Sequence, residues 1–308
     1  MNDNYICVVG GINLDLSATS YSIACMEDSN PGKISYSPGG VGRNIAENIC
    51  RLGEKVSLIA PFGSDEYSKF LIESCNEIGI DLSNSLNFPN ENTGMYVCVN
   101  DFNGEMLIAI SAMDICQKVS PKKLASKLAF INKAKLIVLD ANLPEASLVY
   151  IAEKSKVPVF ADAVSVAKCS KIKKILPKLT LLKANRFEAE ALSDIKINSV
   201  SDLENAAKAL LDTGLKNIII TLGKDGAYFA NKNKQGKMPS LKVNVLNVTG
   251  CGDAFMSAAT VRYLYNQDLE DMVKYGIVAA GLSATHDSAV FPYLSMDMIE
   301  RHLKDIEY

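Results

Sequence analysis

The chain has 308 residues, 48% hydrophobic and 22% charged, with a formal net charge of −3. That length can bury a large core, and a near-balanced charge without a lysine or arginine run argues against a nucleic-acid polymer or an anionic membrane as partner. No apolar run approaches the ~20 residues of a membrane span, no leader pattern precedes the first strand-like segment, and the eight cysteines are scattered without a C-x-x-C pair, so a cytoplasmic protein with reduced thiols and no zinc cluster is expected.

In chain order, Tyr5–Val9 reads as a buried strand running into Gly10-Gly11-Ile12-Asn13-Leu14-Asp15. Asn13 and Asp15, two apart after a strand end, can point the same way. They suit two neighbouring sugar hydroxyls, and equally a turn. Leu14–Ser37 lacks a helical stripe. Pro38-Gly39-Gly40-Val41-Gly42-Arg43-Asn44 is a glycine-rich loop before a helix, with glycines that would let the backbone approach a ligand. It is misplaced for a dinucleotide fingerprint. The spacing predicts further strands at Val56–Ile59, Leu136–Leu139, Val157–Phe160, Leu179–Leu182 and Ile218–Leu222, and helices at Gly42–Leu52, Glu66–Ile78, Lys122–Asn132, Glu145–Glu153, Arg186–Leu192 and Asp202–Leu211. This alternation implies a mainly parallel sheet covered on both faces, with ligands beyond the carboxyl ends of its strands. Gly94–Ile110 reads as a hairpin turning at Asp101–Gly104. With Leu14–Ser37 it would form a small separate sheet, read as a lid rather than as decorated loops.

The stretch that organises the rest is Asn247-Val248-Thr249-Gly250-Cys251-Gly252-Asp253-Ala254-Phe255. Its glycine-rich turn precedes an apolar helical segment from Ala254 to Tyr265, a pattern that makes a concave anion site from backbone amides. A carboxylate beside such a site repels phosphate, so Asp253 suits a general base better than a ligand for phosphate. An ordinary helix N-terminus with a dipole-favoured aspartate fits the local sequence equally well. A helix N-terminus could also lower the thiol pKa of Cys251.

The glycine-rich loop at 38–44 and the Gly250–Asp253 stretch together resemble the two signatures of the PfkB, or ribokinase-like, family of sugar and nucleoside kinases, and the similarity runs along essentially the whole chain. Ser29–Ile34, Gly39–Asn44, Glu91–Thr93, Gly104–Leu107, Ala161–Ser165 and Asn247–Gly250 are most similar to members that phosphorylate pseudouridine. The resemblance implies one domain over residues 1–308, a three-layer αβα sandwich with a mainly parallel central sheet and a small β-sheet lid from about 14–37 and 94–111. It implies transfer of the γ-phosphoryl group of ATP to the 5′-hydroxyl of pseudouridine. A related kinase for ribose, another nucleoside or a sugar phosphate is the nearer alternative, and a non-catalytic nucleoside or sugar sensor the more distant one. Only Arg43 offers a cation for a sugar phosphate near the first loop.

By the same resemblance, Asp253 is the base and the backbone of Gly250, Cys251 and Gly252 is the anion hole. Asn13, Asp15, Gly40 and Asn44 hold sugar hydroxyls, and Thr93 belongs to the part of the lid that closes over the nucleoside base. Asn142 stands where some relatives carry a glutamate facing the sugar, and Lys168 could neutralise phosphate charge. Asn185 and Glu188, in Asn185-Arg186-Phe187-Glu188, organise Mg²⁺ and phosphates, with Glu188 on the metal side. Thr221, Gly223 and Gly226 lie on the nucleotide side, where His286 passes the adenine. Asn247 replaces the aspartate that often helps bind a monovalent cation, so a K⁺ site would rest on backbone carbonyls. A homodimer formed through the lid sheet is expected, because an exposed small sheet has edges and an apolar face to cover.

Overall fold

The computed structural model describes residues 4–306. Across its central eight-stranded sheet the order is Gln235–Met238, Ala227–Asn231, Asn217–Thr221, Leu181–Asn185, Val159–Asp162, Leu136–Asp140, Ile6–Val9 and Val56–Ile59. The strands from Asn217–Thr221 to Val56–Ile59 run parallel, and Ala227–Asn231 and then the edge strand Gln235–Met238 extend the sheet by antiparallel pairing.

The apolar runs that form the parallel strands have a side-chain period of two and are covered on both sides, so they divide between two cores. Ile6, Val8, Val138, Phe160, Leu181 and Ile219 pack on one face with residues of the helices Val41–Arg51, Cys251–Tyr265 and Leu269–Ser283. Cys7, Val9, Leu139, Ala161, Leu182 and Ile220 pack on the other with Glu145–Lys154, Arg186–Ser193 and Val200–Asp212. The result is the expected three-layer αβα sandwich.

Two strands lie further along the chain than their apolar runs predict. The amide of Val157 bonds to Ser155 Oγ and that of Leu179 to the carbonyl of Leu176. Both residues are therefore claimed by turns, and the ladders continue instead into Asp162 and Lys183. The predicted helix Lys122–Asn132 is two short ones, Pro121–Ala125 and Leu128–Ile131, because Lys127 bonds back to the Leu124 carbonyl and closes the first turn.

Four strands without helices form the second sheet, in the order Gly32–Gly39, Asn13–Ser20, Met95–Asn100 and Met106–Ala112. Its root is buried at Asn13 and Leu14, while Ile34, Tyr36, Met106, Ile108 and Ile110 are each more than half exposed. The turn of its hairpin closes by a bond from the Gly104 amide to the Asp101 carbonyl, with Gly104 at a φ of 85°.

Candidate active site

Asp140, Asp162 and Lys183 are register neighbours at the carboxyl ends of three adjacent parallel strands. Partners in register share a face, so the three side chains emerge side by side. All three are buried. Lys183 Nζ donates to Asp162 Oδ2 at 2.8 Å. Asp162 Oδ1 accepts from the Val164 amide at 2.9 Å, and Asp140 accepts from the amides of Gly11 at 2.8 Å and Asn142 at 2.9 Å. The turn after Asp162 is tight: Val164 has a φ of 65°, and the Ser165 amide donates to the Ala163 carbonyl at 2.7 Å. A β-branched residue in that region costs about 1–3 kcal/mol, which the Asp162 bond helps to offset.

The helix Cys251–Tyr265 starts above these strand ends. Gly250 sits at a φ of 78°, and a Cβ there would lie 1.8 Å from the Ala289 carbonyl oxygen, so only glycine fits. A Cβ on Gly252 would lie 2.8 Å from Lys183 Nζ, which places the ammonium directly against the glycine turn. The first intrahelical bond from this turn is Ala254 to the Gly250 carbonyl at 2.9 Å. The amides of Gly252 and Asp253 precede it and have no i−4 carbonyl in the helix, the condition that favours an anion.

Asp253 is 8% exposed, and its Oδ2 accepts from Asn44 Nδ2 at 3.0 Å. Burial and the Asp162 charge push its carboxyl up, Lys183 and Asn44 pull it back, and it comes to rest at about 7. A carboxylate so held takes a proton at neutral pH far more readily than an exposed aspartate. Burial draws the Lys183 pKa down, but the carboxylates of Asp162, Glu188 and Asp253 outweigh it and keep the ammonium charged. The Cys251 thiol is not activated: burial and then the Asp253 charge raise it to about 11, overriding any lowering by the helix terminus.

The first glycine loop is defined by close contact between backbones. A Cβ on Gly40 would lie 2.7 Å from the Gly11 carbonyl oxygen, and one on Gly42 would lie 2.9 Å from the Gly10 Cα. These glycines serve contact between backbones, bringing the helix Val41–Arg51 down onto the end of the first strand. Arg43 does not present a free cation, since it pairs with Glu47 in a buried bridge.

Asn13 Nδ2 donates to Asp15 Oδ1 at 2.5 Å, so the two do share one side. Burial raises the Asp15 carboxyl, against the Asn13 bond and the Arg43 charge. Asn142 is buried with its Oδ1 held by Lys168 Nζ at 2.6 Å. Thr93 gives both its amide and its hydroxyl to Asp65, each at 2.7 Å. Its side chain fixes the loop to the start of helix Glu66–Ile78 through the N-cap Asp65.

On the other side of Lys183, Asn185 and Thr221 are register partners, and both line a cleft of about 620 Å³ with Gly223, Phe187 and Lys224. Gly226 has a φ of 85°, with the Met238 carbonyl oxygen where a Cβ would be, so it serves the turn. Glu188 does not face solvent. It forms a reciprocal capping box with Asn185, accepting from the Asn185 amide at 2.7 Å and from Nδ2 at 2.6 Å. Asn247 holds the C-terminal segment through Asp287 O at 2.7 Å and accepts from the Thr249 amide at 2.9 Å. His286 uses Nδ1 on Ser288 and lies tilted by 51° against Phe291, with centroids 5.8 Å apart.

The structure thus brings Asn44, Asp253 and the Gly250–Gly252 turn together, and adds Lys183 and Asp140, which sequence reasoning missed. The available signal was a charged residue ending an apolar run at each position, Leu136–Asp140 and Leu181–Lys183.

Residues 3–295 match the family model described as pfkB family carbohydrate kinase. The chain is 36% identical over 295 residues to a pseudouridine kinase of Escherichia coli (strain K12), covering 95% of this chain and 94% of that one. Among solved structures, a putative sugar kinase from Clostridium perfringens superposes with a TM-score of 0.87 at 30% identity, over 99% of this chain and 96% of that one. Arabidopsis thaliana ribokinase complexed with ribose and ATP gives a TM-score of 0.89 at 20% identity, over 97% and 98% of the two chains, a likeness of fold. The chain belongs to the pfkB family of carbohydrate kinases, and its fold is ribokinase-like.

Proposed function

We propose that this kinase transfers the γ-phosphoryl group of ATP to the 5′-hydroxyl of pseudouridine, giving pseudouridine 5′-phosphate and ADP. The observation that carries the reaction is Asp253: a buried carboxyl at about 7, at the mouth of a glycine turn that carries an ammonium against it. Asp253 takes the proton of the hydroxyl as its oxygen bonds to the γ-phosphorus and the bond to the β,γ-bridging oxygen breaks. The amides at the helix start and the Lys183 ammonium stabilise the charge on the transferring group. Asn13 and Asp15 hold the ribose hydroxyls beneath the lid, which excludes water.

Among the described residues no group of three or more His, Cys, Asp or Glu could hold a metal by itself. That suits Mg²⁺, which keeps water and phosphate oxygens and takes few carboxylates. Glu188 and Asn185 would hold it through water, and bound Mg²⁺ would neutralise charge on the ATP phosphates. Asn247 has its side chain engaged with Asp287 and Thr249, so a K⁺ site would use carbonyl oxygens. The lid's exposed apolar strands support a homodimer.

Pseudouridine as acceptor is supported by the 36% identity to the Escherichia coli enzyme over nearly the whole chain. A sugar phosphate is disfavoured by Arg43, whose charge is taken up by Glu47. ATP consumption with Mg²⁺ against pseudouridine, uridine, adenosine, cytidine, ribose and fructose 6-phosphate tests the reading. Strong preference for pseudouridine is expected. Preference for another acceptor overturns the substrate, and silence throughout with ligand binding intact overturns the kinase.

A further inference from the structure

The helix Val41–Arg51 carries, in its first turn, a buried arginine that takes no part in the reaction above. Arg43 is 4% exposed. Its Nη2 pairs with Glu47 Oε2 at 2.5 Å and reaches Ser74 Oγ at 3.4 Å, while Nη1 donates to Asn44 Oδ1 at 3.2 Å and to the Pro38 carbonyl at 3.4 Å. A guanidinium has donors and no acceptor. The carboxamide oxygen of Asn44 must therefore face Arg43, and the nitrogen must face away. That nitrogen is the atom 3.0 Å from Asp253 Oδ2. A flipped amide would set an oxygen against the carboxylate oxygen and lose the bond. Among the described residues, only Arg43 hydrogen-bonds to Asn44 Oδ1. Pro38 lies in the lid strand Gly32–Gly39, so one guanidinium holds both the partner of Asp253 and the root of the lid.

We propose that Arg43 is a positioning residue, which locks the Asn44 carboxamide in the orientation that donates to Asp253 and ties that orientation to the root of the lid. The kinetic consequence rests on the reading of Asp253 as the base; the geometric one does not. The charged and titratable groups facing Asp253 are Asp162, Lys183, Asp140 and the Cys251 thiol. Those facing Arg43 are Glu47, Asp15 and Cys75, with Arg51 on the far side of Glu47. Donation from Asn44 favours the charged carboxylate, so its loss raises the Asp253 pKa.

The test is the pH titration of the Asn44 side-chain ¹⁵N amide resonance, assigned by its disappearance in Asn44→Ala, in wild type, Arg43→Met and Glu47→Gln. Glu47 keeps Arg51 as a partner in Arg43→Met. The wild-type midpoint is expected near 7, rising by about one pH unit in Arg43→Met and staying in place in Glu47→Gln, which removes the ion pair but not the donor. The acid limb of turnover moves with the midpoint. If Arg43→Met does not fold, Arg43→Lys is used. Lysine lacks the fork whose one nitrogen holds Glu47 while the other reaches Asn44 and Pro38, and the midpoint again rises. An unmoved midpoint in a folded Arg43 variant, or an equal shift in Glu47→Gln, overturns the proposal. A midpoint that moves while the turnover profile does not would leave the positioning role standing and remove Asp253 as the base.

Discussion

The floor of the site and the lid above it are built on opposite terms. On the floor, Asp140, Asp162, Lys183 and Glu188 are buried and each has hydrogen-bonded partners. Its glycines have no room for a side chain: a Cβ on Gly10, Gly42, Gly250 or Gly252 would come within 3.0 Å of a neighbouring atom. In the outer part of the lid the reverse holds. Gly104 at the hairpin tip has nothing within 4 Å, and Ile34, Ile108 and Ile110 face outward, while Gly32 and Gly39 in the lid strand Gly32–Gly39 are packed closely. Dense packing and paired charge fix groups in place before substrate arrives, which electrostatic catalysis requires. A sheet anchored only at its root, with apolar residues outward, is suited to covering a ligand or a second copy.

The sharpest break in this contrast is Asp253→Asn. Turnover should fall by roughly 10²–10⁴-fold while nucleoside binding by calorimetry persists. The fold should become more stable, because Asp253 is a charge held at a cost. Its native pKa is raised from 3.8 to about 7, so the native state retains a proton that the unfolded state loses. Wild-type stability therefore falls as pH rises through that window, by an amount on the order of a few kcal/mol at most, and the Asn variant escapes the loss. Thermal melts at pH 5 and pH 8 read this directly: the window opens near 3.8 and closes near 7, so the gap between the two proteins should be small at pH 5 and widest at pH 8.

Gly250→Ala tests the floor's tolerance. The new Cβ meets the Ala289 carbonyl at 1.8 Å in a left-handed backbone, so the helix start must shift. Loss of aligned donors should cost about 10²–10³-fold in kcat, with a lowered melting temperature. Lys183→Met should act less steeply, by about tenfold or more. It removes a group that pulls the Asp253 carboxyl down, so its activity should recover partly at higher pH. On the lid, Ile108→Ser with Ile110→Ser should move stability by no more than about 0.5 kcal/mol. Sedimentation should report a shift from dimer to monomer, and an unchanged oligomer would remove the lid as the contact.

Much of the floor's scaffold was legible, because buried parallel strands are near-continuous apolar runs and amphipathic helices alternate with them. The Gly250–Asp253 turn was legible as the start of a helix, although an anion site and an ordinary N-terminus fitted the local sequence equally well and only the family resemblance separated them. What escaped depends on register between distant strands. Lys183 and Asp162 fall beyond the apolar runs that marked their strands, and only the ladders set them beside Asp140. Gly40 and Gly42 have the composition of a ligand loop, and they also bring helix and strand backbones together, a contact visible only with Gly10 and Gly11 in place. Arg43 has the look of a surface cation in the sequence, and is buried by its pairing with Glu47 one turn on. In the lid, alternation gave the hairpin, but Thr93 lay in a loop whose partner, Asp65, is 28 residues earlier.

The most direct test of Asp253 as the base is the pH dependence of kcat/KM for pseudouridine with Mg²⁺ and ATP, since that ratio reports groups of the free enzyme. An acid limb with a midpoint near 7, matching the carboxyl's raised pKa and absent from the residual activity of Asp253→Asn, is the predicted result. A profile flat from about pH 5 to pH 9, or one that Asp253→Asn leaves unchanged, would contradict the account.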